Sequence, residues 1–253
     1  MQKKTKTSAI ALGLRYKKYL INFLIYFNLK LLQVHYKKSE IKDLNRIKRL
    51  RLMNSITGIK SANLIGSISE SGNTNLAIFS SVVHLGSDPA LIGFVMRPNN
   101  NVKRDTLNNI LETKNFTINH IHSSFVENAH YTSLNFKHDQ SEFDYCNLES
   151  FYIDNYSAPF VKESKVKIGL KLNEIIPIKS NGCKFIIGEV EHILIDDSIH
   201  LINEGSINLD ESNSVGVGGL NSYYTMNKIA ELPFPRLSTT PASEMNEFWK
   251  SKS

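Results

Sequence analysis

The side chains best placed by type and spacing to do chemistry fall within residues 74–106. Thr74, Asn75, Ser80 and Ser81 interrupt an apolar run, TNLAIFSSVVHL, with small hydrogen-bonding groups. Arg97 closes the next apolar run, and Arg104-Asp105-Thr106 opens a helical pattern. Buried hydroxyls and amides cost free energy unless they find partners, so either the fold pairs them or a polar ligand does. Guanidinium groups, hydroxyls and free N–H groups at a helix start suit a phosphate. An apolar wall with a few polar groups at its edge suits a planar ring. The segment therefore fits a ligand that carries both parts.

Other chemistries find less support. GVGGLN at 216–221 holds two glycines of a dinucleotide fingerprint, but Asn221 takes the third place and no amphipathic helix follows. A bend in a strand explains it better. His120 and His122 alternate onto one strand face and His130 follows on a helix, yet no Cys, Asp or Glu completes a metal spacing. No metal site is expected. Neither a Ser-His-Asp order nor a nucleophile elbow is present. Cys146 and Cys183 follow no C-x-x-C pattern and suggest a reducing compartment, with cytoplasmic localisation expected.

The elements that must carry residues 74–106 can be read from periodicity and turn residues. Ile41, Leu44, Ile47 and Leu50 recur at helical intervals, predicting a helix over 39–52 with Ser39 as N-cap. Strands are expected over 62–69 and 76–84, with ESGN as the turn between them. The GSDP turn leads to a strand over 90–97, and the loop PNNNVKR precedes a helix from Asp105. Residues 115–121 form a further strand. Ser124 and Glu127 fit a capping box for a second helix, and a short helical segment lies near SEFDYCNL. Long strands over 165–178 and 184–195 flank an SNG turn, and short ones follow near 214–217 and 222–225. Many strands with few, short helices indicate a mostly β antiparallel barrel.

Charge is unevenly spread. Residues 1–60 hold 15 basic side chains against 2 acidic ones, and the remaining residues hold 15 against 22. The acidic body argues against nucleic acid as a partner. The division expected is a basic, apolar leader over 1–38, a barrel domain over 39–236 and a loose tail over 237–253. The longest charge-free run of the leader, Tyr19–Leu29, has 11 residues, about half of what a spanning helix needs. Membrane contact through an amphipathic leader is weighed and not favoured, and the leader is expected to be dispensable.

TNLAIFSSVVHLGSDPALIGFVMRP, with RDTLNNILETKNFTINHI after it, resembles the flavin reductase-like family of FMN-binding split barrels. The matching pieces are a T-N-x-A-x-x-S-S strand, a Pro-to-Phe strand, an R-D-T helix start and a strand ending in Asn. SEFDYCNL, VKESKVKIGLKL and GGLNSYY resemble later pieces of the same pattern. Ile78 stands where the family often has Pro, and GVGGLN stands in place of an Arg-Leu-Gly-Gly run. The resemblance implies a six-stranded Greek-key split barrel that forms a homodimer with FMN near the interface. It places Asn75, Leu76 and Ala77, next to Thr74, at the isoalloxazine. Ser80, Ser81, Arg104 and Thr106 hold the phosphate and ribityl chain, with Arg97 alongside. The activity implied is transfer of hydride from NADH or NADPH to flavin N5 and onward to an acceptor. The alternative is a non-catalytic FMN-binding electron carrier. No acid–base residue is fixed by the resemblance; His84 and His130 are the candidates. On this reading the small polar groups of residues 74–81 lack protein partners and a flavin completes their hydrogen bonds.

Overall fold

The computed structural model describes residues 34–98, 105–137, 139–202 and 205–232. Nearly all of the expected leader, and the whole tail over 237–253, lie outside the described residues. The chain divides into two compact units, Met1–Met53 and Asn54–Ser253.

The first unit holds α1 (Lys38–Asp43) and most of α2 (Arg46–Ser55), neither of which has a buried residue. The single helix expected over 39–52 is therefore broken. Leu44 is extended, with ψ 139°, and the Asn45 side chain accepts from Lys48 N at 2.8 Å, so Asn45 caps a new helix. Arg49 donates to the Lys42 and Leu44 carbonyls and holds the break closed. Among the described residues no helix is long and apolar enough to cross a membrane.

The second unit begins with the short strand β1 (Lys60–Ser61), then β2 (Asn63–Ile68), β3 (Thr74–Phe79), β4 (Val83–Ser87) and β5 (Ala90–Met96). Helix α3 (Asp105–Thr113) leads into β6 (Asn115–His120), and two short helices follow, α4 (Val126–Tyr131) and α5 (Glu142–Tyr145). A small hairpin pairs β7 (Ser150–Phe151) with β8 (Phe160–Val161). The long hairpin of β9 (Val166–Ile178) and β10 (Cys183–Ile195) comes next. A second small hairpin, β11 (Leu201–Ile202) with β12 (Ser206–Ile207), is followed by α6 (Leu209–Ser212). Finally β13 (Val215–Gly218) joins β14 (Ser222–Thr225) and β1 in a three-stranded sheet.

The main sheet has seven strands, all antiparallel, in the order β3-β2-β6-β9-β10-β5-β4. It is mostly β, as the sequence indicates, with one strand more than expected. The extra strand arises because the run read as one strand over 76–84 is two. They lie at opposite edges of the sheet. A flat sheet of seven strands would hold its edges about 29 Å apart. Residues 80–82 join them, and four Cα steps reach only about 14 Å. The sheet must curl until its two edges approach, which makes it a barrel split between β3 and β4.

Two apolar clusters fill this arrangement. Ile65, Phe94, Leu107, Ile110, Phe116, Leu170 and Ile186 form one, in which two residues of α3 meet strands from across the sheet. Leu64, Leu76, Ile121, Phe125, Phe143 and Val161 form the other, against α4 and α5. Leu64 and Ile65 are adjacent yet belong to different clusters, because successive strand residues face opposite sides. That is why β2 is buried on both faces. Near α4 the expected capping box does not form. His122 Nδ1 accepts from Ser124 N at 3.1 Å instead, opening a 3₁₀ turn over Ser123–Phe125 before the helix.

Candidate functional site

Strand β3 is an edge strand, so half of its backbone groups face away from β2 and need other partners. Leu76 N donates to Glu142 Oε2 at 2.9 Å. Glu142 is the first residue of α5, and Ser141 caps that helix by accepting from Phe143 N at 3.3 Å. Ser141 also shares a 2.6 Å hydrogen bond with the Thr74 hydroxyl. A short helix thus closes the outer edge of β3 with two side chains.

On its other face β3 meets the first turn of α3. Asn75 Nδ2 donates to Thr106 Oγ1 at 2.9 Å and to Ser67 Oγ at 3.4 Å, and Asn109 Nδ2 donates to Ser67 Oγ at 3.2 Å. Ser67, Thr106 and Asn109 are buried. Thr74, Asn75 and Thr106 have protein partners, which corrects the expectation that a ligand must supply them all. Asn75 spends only its amide nitrogen, and its Oδ1 has no donor among the described residues.

The Ser80–Ser81 end differs. Ser81 Oγ accepts from Val95 N at 3.0 Å and reaches Val95 O at 3.3 Å, so it staples the crossover to β5. The Ser80 hydroxyl is half-buried and has no partner among the described residues. Leu76 is fully buried with its side chain in the apolar cluster, and Ala77 is half-buried. Arg97 is exposed, and Arg104 lies outside the described residues. The fold therefore brings together Thr74, Asn75 and Thr106. Ser81 is held to another strand.

Asn73, Thr74, Asn75, Asp105, Lys137, Gln140 and Glu142 line a small cleft that is partly open to solvent. Glu142 is 9% exposed. Burial pushes its carboxyl above the usual range, Asp105 pushes the same way, and the Leu76 N–H opposes them. The SEF segment stands out in the sequence as a short helical piece, but nothing local assigns Glu142 a role. Its signal was a capping serine followed by an acid, whose partner lies 66 residues away.

The two candidate acid–base histidines occupy different settings. His84 is exposed on β4, 3.4 Å from the Ser87 hydroxyl. His130 shares a 3.0 Å hydrogen bond with Tyr223 OH, whose own proton is held more tightly through burial. Neither contacts the cleft residues through a hydrogen bond.

As to a flavin, the observed groups fit its two parts. The unengaged Asn75 Oδ1 and Ser80 hydroxyl suit polar ring edges or a ribityl chain. The nine-residue helix α3 begins beside Asn75, and a helix start of this kind suits a phosphate.

Residues 60–205 match the family described as flavin reductase like domain. A crystal structure from Shewanella frigidimarina NCIMB 400, assigned as a flavin reductase with split barrel domain, is 42% identical with a TM-score of 0.76. The match covers 80% of this chain and 100% of that one. Nitrilotriacetate monooxygenase component B from Bacillus cereus shares the fold at 20% identity, with a TM-score of 0.70 over 79% of this chain and 98% of its own. An uncharacterized protein of Aquifex aeolicus (strain VF5) is 30% identical over 163 residues, 63% of this chain and 80% of that protein.

Proposed function

This chain belongs to the flavin reductase-like domain family of flavin-related oxidoreductases, and from that premise we propose that it is an FMN-dependent enzyme using NADH or NADPH. A bound flavin would supply the redox chemistry by accepting a hydride, a two-electron reduction, from the reduced nicotinamide, which would be oxidised in turn. The chain's own residues place and polarise the ligand. Asn75 Oδ1 and the Ser80 hydroxyl meet its polar edges, and the start of α3, with Thr106, meets the phosphate. Asn75, itself bonded to Ser67, holds Thr106 in place.

The observation that carries this reading is the Asn75–Thr106 hydrogen bond. It joins the strand proposed to meet the ring with the helix start proposed to meet the phosphate, 31 positions apart in the chain. We further propose that the protein is a homodimer, as the resemblance implies, and that residues 1–38 are dispensable for folding and flavin binding.

The test is anaerobic. Purified protein loaded with FMN should lose its yellow absorbance rapidly on addition of NADH or NADPH. Bleaching by dithionite alone, with neither nicotinamide effective, would favour the electron-carrier alternative. Equal affinity for FMN and riboflavin would remove the phosphate part of the reading.

A further inference from the structure

We propose that two copies of this chain pair through the outer sheet face over the far end of β9, β10, β5 and β4, with Arg97 of each copy against the partner's Glu174. The proposal rests on the homodimer reading above and names its interface.

The two faces of the seven-stranded sheet are covered unequally. The inner face carries Phe94, Met96, Ile186 and Ile175, in or against the cluster that α3 joins. The outer face is covered over β3, β2 and β6 by α4, α5 and Val161, around Leu64 and Leu76. At the start of β9 the cover is Tyr156 and Phe160, which a side chain at Gly169 would meet at 3.1 and 3.2 Å. Beyond that, alternation turns Ile176, Phe185, Ile187, Val95 and Val83 outward. None of these five belongs to an apolar cluster of the described residues. Ile176 and Val83 are 42% and 46% exposed.

Register makes the five a continuous surface. Ile176, Phe185 and Val95 share one row, and Glu174, Ile187, Gly93 and Val83 share the next. A Cβ on Gly93 would lie 2.5 Å from the Phe185 ring, so glycine there leaves room for the ring to lean across β5. An apolar face four strands wide calls for a cover, and its charges identify which.

Glu189 and Lys171, at the border, stand opposite each other in register and balance. That leaves Glu174 and Arg97, both exposed and unpaired among the described residues. Glu174 lies one strand and one row from Phe185. Arg97, one residue past Met96 on β5, lies one strand and one row away in the opposite direction. A two-fold axis in the plane of the face, passing over Phe185, exchanges these corners. Each Arg97 then meets the partner's Glu174, and Phe185 meets its own copy. A foreign partner of one charge would satisfy one corner and oppose the other, whereas a second copy satisfies both.

The experiment is sedimentation of the full-length protein over a range of concentrations, with FMN titrated into the same samples. Wild type should be dimeric. Glu174→Arg and Arg97→Glu should each weaken the dimer at least about tenfold, since each sets like charges against one another. The double variant, Arg97→Glu with Glu174→Arg, should restore it. Ile176→Asp should dissociate the dimer without changing the circular dichroism of the fold. Single charge variants that stay dimeric, or a double variant that stays monomeric, overturn the proposal alone. A wild type that is monomeric throughout overturns the homodimer reading and this proposal with it. A dimer that shows the charge pattern yet binds no FMN upholds the proposal and overturns the flavin reading.

Discussion

The two ends of the 74–81 segment are held by different kinds of partner. At the Thr74–Leu76 end the bonds run to Ser141, Thr106, Ser67 and Glu142, side chains from three separate elements. At the Ser80–Ser81 end the clamp among the described residues is the Val95 backbone of β5. The first end is a junction that exists only when α3, α5 and β2 have all docked. The second is a staple on the strand crossover. A junction of side chains can be adjusted residue by residue to a ligand, whereas a staple to a backbone serves any occupant equally.

The largest effect should come from breaking the junction at Glu142. Glu142→Ala leaves the Leu76 N–H buried without an acceptor, costing about 1–3 kcal/mol. Urea midpoints should fall accordingly. Glu142→Gln should behave differently, and the sign follows from linkage. The folded carboxyl binds its proton more tightly than the unfolded one, so its stability contribution is full below the ordinary carboxylate pKa. It is lost as pH rises through the raised folded value. At neutral pH the Gln variant should therefore equal or exceed wild type, and at pH about 4 lose that advantage. An Ala-like loss in the Gln variant would show that the charge itself is needed.

Next in size is Asn75→Ala, which removes the donor shared by Thr106 and Ser67 and should cost about 1–2 kcal/mol. A double-mutant cycle with Thr106→Val should show coupling of at least about 0.5 kcal/mol, since the two side chains touch. Additive effects would mean that the strand and helix are held by packing alone. At the other end, Ser81→Ala should cost about 1 kcal/mol by leaving Val95 N unpaired, with no coupling to Thr106.

How much of this was legible in the sequence depends on the range of the interaction. The strands, the α3 start and the antiparallel barrel class are visible because apolar patterning and turn residues act locally, whereas the split-barrel type was implied by the family resemblance of the 74–106 motifs. The division at Ser80–Val82 is not visible, because apolar residues run on both sides of it and such a run carries no information about which sheet edge a strand joins. The break at Leu44–Asn45 was obscured likewise: apolar spacing runs through it, and only the capping capacity of Asn45 marks it. The pairing of Asn75 with Thr106, and of Leu76 with Glu142, spans 31 and 66 residues. Those bonds decide whether a polar residue awaits a ligand, and no local pattern encodes them.

The smallest expected change in stability, and the sharpest test of the comparison, lies at Ser80. Its hydroxyl is half-buried beside the staple yet has no partner among the described residues. Ser80→Ala therefore breaks no hydrogen bond among the described residues, and stability should stay within about 0.5 kcal/mol of wild type. If the hydroxyl bonds a bound flavin, the same change removes a neutral hydrogen bond of about 1 kcal/mol, roughly a fivefold loss of affinity. Ser81→Ala should give the opposite pair of results, a less stable protein with nearly unchanged affinity. Adjacent serines would then separate the ligand-facing group from the structural one. Affinity that falls with Ser81→Ala and not with Ser80→Ala would reverse their roles, and would mean that the Val95 contact rearranges when the flavin binds.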